Sequence, residues 1–457
     1  MSEEKGKKVG LVNLIGMGLG GAIGTGIFVM LGYGIAFTGN SIVPVVMIGC
    51  FYMLLAYWYQ LCMPSIFVLK GGDYSMKQLL FTPLLTGVSA WFLVFTSMAL
   101  SNYALVLSDY VIMLAPGLAA ARTILAVVIM TLFFVSSIKG SRFMVLLENY
   151  VTWLLLAAIA IFVFFGVPRV NAGAFFSGGE TGKFFLNGLS GFFSAIAIMG
   201  FACQGTTGAI NFSPVTDNPK RTIPSAIIWT NVFLAIIYGL MAYVGAGVLP
   251  MEQTAGANIS VTAEAILPHG LFLFFVIGGG IGAIASSALG MVGGMRYPLL
   301  SIAEDGWLPA VFKKKTESGY PYVIYAVYYI IAVLPIVTGM GIDTIVSLMM
   351  VPTMLLNMYL NYACIKLPEQ FPEQWEKRSI RMSKMFYKIC CVLGILAAGL
   401  VAGYLLKDMS LRDNIITIVM VAFLFIMSWL RMKQGAVSQE MLKERRDTVV
   451  QEALATE

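Results

Sequence analysis

The sequence predicts an all-α integral membrane protein, and two observations lead to that prediction. Hydrophobic residues make up 59% of the 457 residues and charged residues only 11%, with a mean hydropathy of +0.85. Soluble domains usually contain about 25% charged residues. Long apolar segments follow one another with short loops between them, and the ~10-residue alternating segments typical of a membrane barrel are not evident. The sequence therefore excludes a soluble globular protein and favours a single helical bundle.

Hydropathy and helix-breaking residues divide the chain into twelve predicted membrane spans. These spans lie at about 10–37, 41–64, 84–113, 121–138, 145–167, 185–211, 223–249, 270–302, 321–339, 342–365, 386–406 and 413–431. We therefore expect a short tail at 1–8, one twelve-helix domain at 9–432 and a second tail at 433–457. The second tail has mixed charge and is expected to be a solvated helix without chemistry.

The distribution of Lys and Arg predicts the orientation of the chain in the bilayer. If the N-terminus lies inside, the outer loops hold five of the 29 basic residues and 24 remain inside. The five outer residues are Arg122, Arg169, Lys183, Lys407 and Arg412. Cytoplasmic loops carry such an excess. Both termini are therefore predicted to be cytoplasmic in the cell membrane, and the net charge of +6 reflects this orientation rather than a nucleic-acid partner.

The first span is poorly suited to a continuous helix. Six glycines fall between Gly16 and Gly26, and each costs about 1 kcal/mol of helix propensity relative to alanine. We expect a break near Gly21 to Gly26. A break at mid-membrane presents amides to an anion and carbonyls to a cation, which suits a zwitterion. The alternative is a small-residue packing face formed by Gly16, Gly20 and Gly24.

The sixth span shows the same anomaly. Between Met199 and Gly208 it contains three glycines and three polar residues, Gln204, Thr206 and Thr207. Two interrupted helices five spans apart are the sequence pattern of an inverted-repeat transporter whose site lies between the halves.

Four segments resemble, in order, the signatures of the amino acid-polyamine-organocation (APC) superfamily. Residues 21–28 are similar to its first-helix signature, 71–74 to its GGxY loop, 201–224 to its sixth-helix FAFxG and NPxxxIP signals, and 296–309 to its eighth-helix ending. The similarity covers nearly the whole chain.

The resemblance implies a LeuT-type fold. Two inverted five-helix repeats are expected at about 9–168 and 185–366, with helices 1 and 6 broken, and two peripheral helices at about 385–432. It also implies that amino acids or related amines cross by alternating access.

The resemblance also assigns a substrate site. The carboxylate would meet the backbone amides of Thr25 and Gly26, and the ammonium group would meet carbonyls of both breaks. The candidate residues are Ala22, Ile23, Gly24, Thr25, Gly26, Ser97, Ser101, Phe201, Ala202, Cys203, Gln204 and Thr207. For Ser97 and Ser101 on the third span, close helix packing is the alternative interpretation.

A sodium site is the candidate for ion coupling. Ser286 and Ser287 resemble the sodium-site serines of cation-chloride cotransporters in the same superfamily, and carbonyls of Gly20 and Ile23 would complete an all-oxygen set. The alternative is that both serines bond back to their own helix. No other cofactor is expected.

Three departures from the family pattern bear on mechanism. Cys203 stands where relatives often carry an aromatic residue, and Val215 where they often carry a glutamate. Residues 153–155 are Trp-Leu-Leu where many proton-coupled or exchanging relatives place a lysine. Proton-coupled or exchange transport of amines therefore remains an alternative to sodium coupling. Glu148, near the start of the fifth span, is expected to be paired or hydrated.

Other functional classes fit less well. The sole histidine, His269, lies in a predicted outer loop, and no constellation for an intramembrane enzyme is apparent at membrane depth. The six cysteines show no metal-binding spacing. A channel or a membrane-embedded receptor is the alternative from another class. The expected partners are the lipid bilayer and a small-molecule substrate, without an obligatory protein partner.

Overall fold

The structure, a computed structural model, describes residues 8–139, 141–177, 182–317 and 319–455. Within these ranges, it describes only the backbone of a few residues. Three predicted site residues, Thr25, Phe201 and Gln204, are among them. The predicted roles of their side chains therefore lie outside the described part of the chain. The same holds for most of the predicted tail at 1–8.

The described residues form helices joined by short loops. The first ten are α1 (Leu11–Thr25), α2 (Leu31–Thr38), α3 (Ile42–Ala56), α4 (Trp58–Ile66), α5 (Gly72–Leu80), α6 (Pro83–Phe95), α7 (Leu100–Leu114), α8 (Arg122–Ser137), α9 (Ser141–Gly166) and α10 (Ala172–Ser177). The next nine are α11 (Gly188–Gly200), α12 (Pro219–Gly247), α13 (Met251–Thr254), α14 (Ser260–Ile266), α15 (His269–Phe274), α16 (Gly282–Gly294), α17 (Arg296–Glu304), α18 (Tyr322–Thr338) and α19 (Ile342–Cys364). The last five are α20 (Leu367–Gln370), α21 (Pro372–Glu376), α22 (Lys384–Asp408), α23 (Leu411–Lys433) and α24 (Gln439–Ala455).

Tighter and wider helical turns connect several of these helices. The π-helical segments are Gly26–Met30 and Phe275–Ile281. The 3₁₀ segments are Gly39–Ser41, Thr96–Ala99, Pro116–Ala121, Val167–Arg169, Phe201–Val215 and Ala310–Lys313.

The helices confirm an α-helical membrane protein. Within the described ranges, eleven helical stretches are long and apolar enough to cross a bilayer. The predicted ninth span corresponds to α18, which at 17 residues is shorter than these eleven. The division into inverted repeats stays a prediction.

Both predicted breaks are present. In the first span, Gly24 has non-helical torsion angles (φ −30°, ψ −130°), and the π-helical segment follows directly. In the sixth span, α11 ends at Gly200 and gives way to a 15-residue 3₁₀ helix, Phe201–Val215. Runs of 3₁₀ helix rarely exceed three or four residues, so this segment is a long departure from α-helical geometry.

The first span lies at the centre of the bundle. α1 packs against α9, α12, α16 and the 3₁₀ segment Phe201–Val215. The predicted peripheral helices pack elsewhere, with α22 against α3 and α19, and α23 against α6. The packing of α1 against the segment Phe201–Val215 places the two breaks side by side.

The C-terminal helix α24 is not a freely solvated tail. Its Arg445 approaches the Asp305 carboxylate at 3.3 Å, and Lys220 donates to the Ala453 carbonyl oxygen at 3.0 Å. The sequence-based expectation was incomplete because the few apolar residues of α24, such as Ala453 and Leu442, are buried against the bundle.

Candidate functional site

Glycines allow the two broken segments to touch. A Cβ atom added to Gly205 would overlap the backbone of Gly21, and one added to Gly26 would overlap Ala202. Only a residue without a side chain permits this approach. The contact of the first and sixth spans therefore depends on glycine at both breaks.

The packing interpretation of the first-span glycines also holds. Gly16 faces Asn149, Gly20 faces Ser286 and Thr152, and Gly24 faces Ser287. These three positions are one helical turn apart and let α9 and α16 approach α1 closely. The first span therefore contains both a helix break and a small-residue packing face, and Gly24 belongs to both.

Tyr238 on α12 joins the two breaks, and the sequence did not identify it. Its buried hydroxyl group donates to the carbonyl oxygen of Ala22 at 2.7 Å and to that of Ala202 at 2.9 Å. Both carbonyls belong to the set expected to bind a substrate ammonium group. A tyrosine in the middle of an apolar span was the available signal, since a buried phenol usually finds a hydrogen-bond partner.

A cavity of about 250 Å³ lies next to the contact between Gly21 and Gly205. Gly21, Gly205, Thr207 and Ser287 border it, and so does Tyr103, another residue that the sequence did not identify. The remaining lining is largely apolar and includes Met17, Phe92, Leu93, Ala99, Ile210, Phe212, Met291 and Met349.

The far part of the cavity contains an ion pair. Lys77 lies 2.5 Å from Asp73, which also accepts a hydrogen bond from Gln60 at 3.0 Å. The side chain of Asn211 accepts from the Asp73 amide at 3.0 Å. Asp73 and Lys77 belong to α5, in the segment after the second span that is predicted to be cytoplasmic, and Asn211 lies at the end of the predicted sixth span.

The opposite end of the bundle is closed by packing. The ring of Phe275 stacks on that of Phe162, with centroids 4.9 Å apart, and is tilted against that of Phe28, with centroids 5.5 Å apart. Tyr110 donates to Asn258 at 2.6 Å, which ties α7 to the loop before α14. The cavity therefore extends from the breaks toward one side only.

Two of the four family motifs bond to each other. Tyr74 donates to the Asp305 carboxylate at 2.7 Å, and the Trp307 indole donates to the Tyr74 hydroxyl oxygen at 2.8 Å. Burial raises the pKa of Asp305, although the bond from Tyr74 and the charge of Arg445 oppose that effect. The GGxY loop and the eighth-span ending thus form one polar cluster.

Of the twelve candidate substrate residues, Thr207 is the one found in the cavity lining that the structure describes. Three of the other candidates, Ser97, Ser101 and Cys203, contact neighbouring groups instead. Ser97 donates to the Val94 carbonyl of its own turn at 3.0 Å, and Ser101 donates to the Ala332 carbonyl on α18 at 2.7 Å. The thiol of Cys203 lies 3.4 Å from that of Cys50 on α3. For the two serines, these contacts fit the alternative of close helix packing.

Hydroxyl and carbonyl oxygens meet where the sodium site was expected. Ser287 donates to the carbonyl oxygens of Gly20 at 2.7 Å and Gly21 at 3.0 Å. Ser286 lies 3.0 Å from the Thr152 hydroxyl group. This all-oxygen set fits a hard cation. Ile23 is buried, but in the described part of the chain no bond joins it to either serine.

Thr152 is the residue of the fifth span that faces Ser286. In the segment 153–155, Leu154 is 37% exposed at the bundle surface and Leu155 is buried. Neither position supplies an ammonium group.

Glu148 lies one turn before Thr152 and is more buried than expected. Its side chain is 1% exposed and borders the cavity. In the described part of the chain, nothing donates a hydrogen bond to its Oε2 atom. This oxygen is therefore not paired with a described protein group, the alternative of a hydrated carboxylate stays a prediction, and Gly290 of α16 lies against the carboxyl group.

Comparison with known proteins agrees with this architecture. Residues 9–443 match the family model described as amino acid permease. An uncharacterised protein of Methanocaldococcus jannaschii is 25% identical over 322 residues, which is 68% of this chain and 72% of that protein.

Two similar proteins have named activities. The branched-chain amino acid permease BcaP of Bacillus subtilis is 24% identical over 349 residues, which is 69% of this chain and 71% of the permease. A D-serine/D-alanine/glycine transporter of Escherichia coli is 26% identical over 324 residues, 66% of each chain. Because the family model covers most of the sequence, the chain belongs to the amino acid permease family and is a multi-pass amino-acid transporter of the APC superfamily, not an enzyme.

Proposed function

We propose that this chain is a secondary active transporter that moves neutral amino acids across the cell membrane by alternating access. Both termini would be cytoplasmic. The observation that supports this proposal most strongly is the contact of the two broken spans. This contact borders a cavity at Gly21 and Gly205, and beside it the Tyr238 hydroxyl group bonds to one carbonyl oxygen from each break.

The backbone of the two breaks can complement a zwitterion without a charged side chain. After the non-helical Gly24, the amides of Thr25 and Gly26 lie at the start of the resumed helix, where anions are favoured. The carbonyls of Ala22 and Ala202 each accept from Tyr238, and a second lone pair on each stays available to an ammonium group. A fixed charge at mid-membrane would be costly.

The cavity favours an uncharged side chain. Most of its lining is apolar, and the ion pair of Asp73 with Lys77 in its described lining is already internally neutralised. The names of two similar proteins, for branched-chain amino acids and for D-serine, D-alanine and glycine, also refer to amino acids with neutral side chains.

Alternating access fits the asymmetry of the bundle. The cavity leads from the breaks toward the predicted cytoplasmic side, and the phenylalanine stack with the Tyr110 to Asn258 bond blocks the other side. Transport would require the opposite pattern in a second form, with the stack opened and the loop residues near Asp73 packed.

Sodium is the proposed coupling ion at Gly20, Ile23, Ser286 and Ser287. The bonds from Ser287 to the Gly20 and Gly21 carbonyls support this proposal, because they bring α1 and α16 together through oxygen atoms only. A cation stabilises one conformation only if it binds that conformation more tightly. Sodium would therefore favour the form in which α1 and α16 are close.

The test is uptake by the purified protein in liposomes with a panel of amino acids. Liposomes preloaded with an unlabelled neutral amino acid should take up the same labelled compound faster than empty ones. A channel cannot show this stimulation. The absence of any amino acid that is taken up, or uptake unaffected by preloading, would contradict the proposal.

A further inference from the structure

Glu148 on α9 is a buried carboxyl group that belongs neither to the proposed substrate site nor to the hydroxyl cluster, which consists of Thr152, Ser286 and Ser287. It is 1% exposed, it borders the cavity, and its Oε2 atom accepts no hydrogen bond from the described residues. An isolated charged carboxylate in an apolar bundle is strongly disfavoured, and such a group neutralises instead. The group is therefore suited to hold a proton.

Two of the elements packed against α9, namely α1 and α16, supply no charge beside this carboxyl group. α1 and α16 contain no ionisable residue, and a Cβ atom on Gly290 of α16 would meet both carboxylate oxygens. Other elements that contact α9 do carry ionisable residues, and these are Lys220, Arg221, Tyr238 and Tyr243 of α12, Arg122 of α8, Glu264 of α14 and Arg169 of the 3₁₀ segment Val167–Arg169. The ionisable residues along the cavity are Tyr57, Tyr59, Asp73, Lys77 and Tyr103. Lys77 is neutralised by Asp73. Arg142 of α9 has a side chain outside the described part.

The surroundings of Glu148 suit a proton better than a metal ion. A hard cation needs several oxygen ligands at about 2.3–2.6 Å. Gly290 contributes no side-chain oxygen. Thr152 and Ser286 lie four residues from Glu148 and Gly290 respectively, which is about 6 Å along each helix. The carboxyl group is thus separate from the oxygen set that fits sodium.

We propose that Glu148 is a proton-binding site of this transporter and that its proton moves with the amino acid, in addition to the proposed sodium ion, which stimulates uptake but is not required for it. The inference rests on the proposed alternating-access function. When α9 and α16 separate and water reaches the carboxyl group, R–COOH and H₂O give R–COO⁻ and H₃O⁺. In the form open to the other side of the membrane, R–COO⁻ and H₃O⁺ give R–COOH and H₂O before the helices approach again. Only O–H bonds break and form, and no uncompensated charge stays in the packed bundle.

The proton can be followed directly. The full-length protein is reconstituted in liposomes containing a pH-sensitive dye in weakly buffered, sodium-free medium. The neutral amino acid that showed counterflow is then added outside. Acidification of the interior is expected for the wild type. Glu148→Gln should reduce acidification at least tenfold while exchange of labelled for unlabelled amino acid continues at a similar rate.

A matched control is Asp109→Asn, because Asp109 is a carboxylate of α7 that pairs with Arg122 and does not border the cavity. This variant should acidify the liposomes as the wild type does. If Glu148→Gln does not fold, Glu148→Asp is used instead, because it keeps a carboxyl group at a shifted position. Amino-acid uptake by Glu148→Asp should reach half its maximum at a different pH from uptake by the wild type.

Three results would overturn the inference. They are acidification by Glu148→Gln equal to that of the wild type, an unshifted pH profile for Glu148→Asp, and wild-type counterflow without acidification. In the last case the proposed transport function would stand and only the role of Glu148 would fail. Absence of counterflow for every amino acid would instead contradict the proposed function itself.

Discussion

The breaks of the first and sixth spans differ in form. The first is sharp, with non-helical torsion angles confined to Gly24 and a short π-helical segment after it. The sixth extends over the 3₁₀ segment Phe201–Val215. They nevertheless present carbonyl oxygens to one hydroxyl group, that of Tyr238. The proposed site therefore depends on the contact between the two breaks rather than on the geometry of either break.

The largest effect should come from separating the two breaks. In Gly26→Val, the new side chain would overlap Ala202 and resist the backbone geometry of the first break. We expect substrate affinity to fall at least about fivefold, since overpacking typically costs 1–3 kcal/mol. Equilibrium binding of the transported amino acid measures this. Gly208→Ala is the control, because a Cβ atom there meets nothing within 4 Å. Unchanged affinity in Gly26→Val would refute the contact-dependent site.

A somewhat smaller effect is expected when the breaks stay in contact but lose their shared hydroxyl group. Tyr238→Phe leaves two buried carbonyls without this donor, and a buried unsatisfied polar group costs about 1–3 kcal/mol. The variant should show a lower thermal unfolding temperature and weaker substrate binding. Tyr243→Phe on the same helix should change neither property. Equal effects of both variants would show that Tyr238 has no special role.

The hydroxyl cluster should affect coupling more than binding. Replacing Ser286 and Ser287 together by Ala removes the bonds to Gly20 and Gly21. Sodium stimulation of uptake should disappear, while sodium-free exchange should continue. The measurement compares uptake in sodium and choline buffers at fixed pH. If wild-type uptake is the same in both buffers, the serines serve helix packing and the sodium proposal is wrong.

The smallest effect is expected at Cys203. Its thiol faces Cys50 and does not border the cavity, so Cys203→Ala removes one buried sulfur and little else. Substrate preference should be unchanged in a competition assay with small and large neutral amino acids. A clear change of preference would show that the residue borders the substrate in another conformation.

Much of the architecture could be predicted because membrane spans are apolar and helix breakers are glycine and proline. Hydropathy alone predicted the fold class, and the glycines of both breaks predicted where the helices are interrupted. The ninth span was harder to delimit, because α18 is 17 residues long and flanked by loops.

The partners across helices could not be predicted. The i to i+4 spacing of Glu148 and Thr152 places them on one face of α9, but only packing shows that this face meets Gly290 and Ser286. Similarly, Ser97 and Ser101 share a helix face with cavity-lining neighbours, yet their hydroxyl groups bond to backbone carbonyls. Helix rotation of a few tens of degrees decides such cases, and hydropathy does not determine that rotation.

The most direct test of the central claim is whether substrate protects a residue at the contact of the two breaks. Thr207 borders the cavity within the 3₁₀ segment, and Ser97 does not border it. In a variant whose native cysteines are replaced, Thr207→Cys should react with a small thiol reagent, and a saturating transported amino acid should slow that reaction severalfold. Ser97→Cys should react slowly with or without it. An equal reaction rate of Thr207→Cys with and without the amino acid would contradict a substrate site between the broken spans.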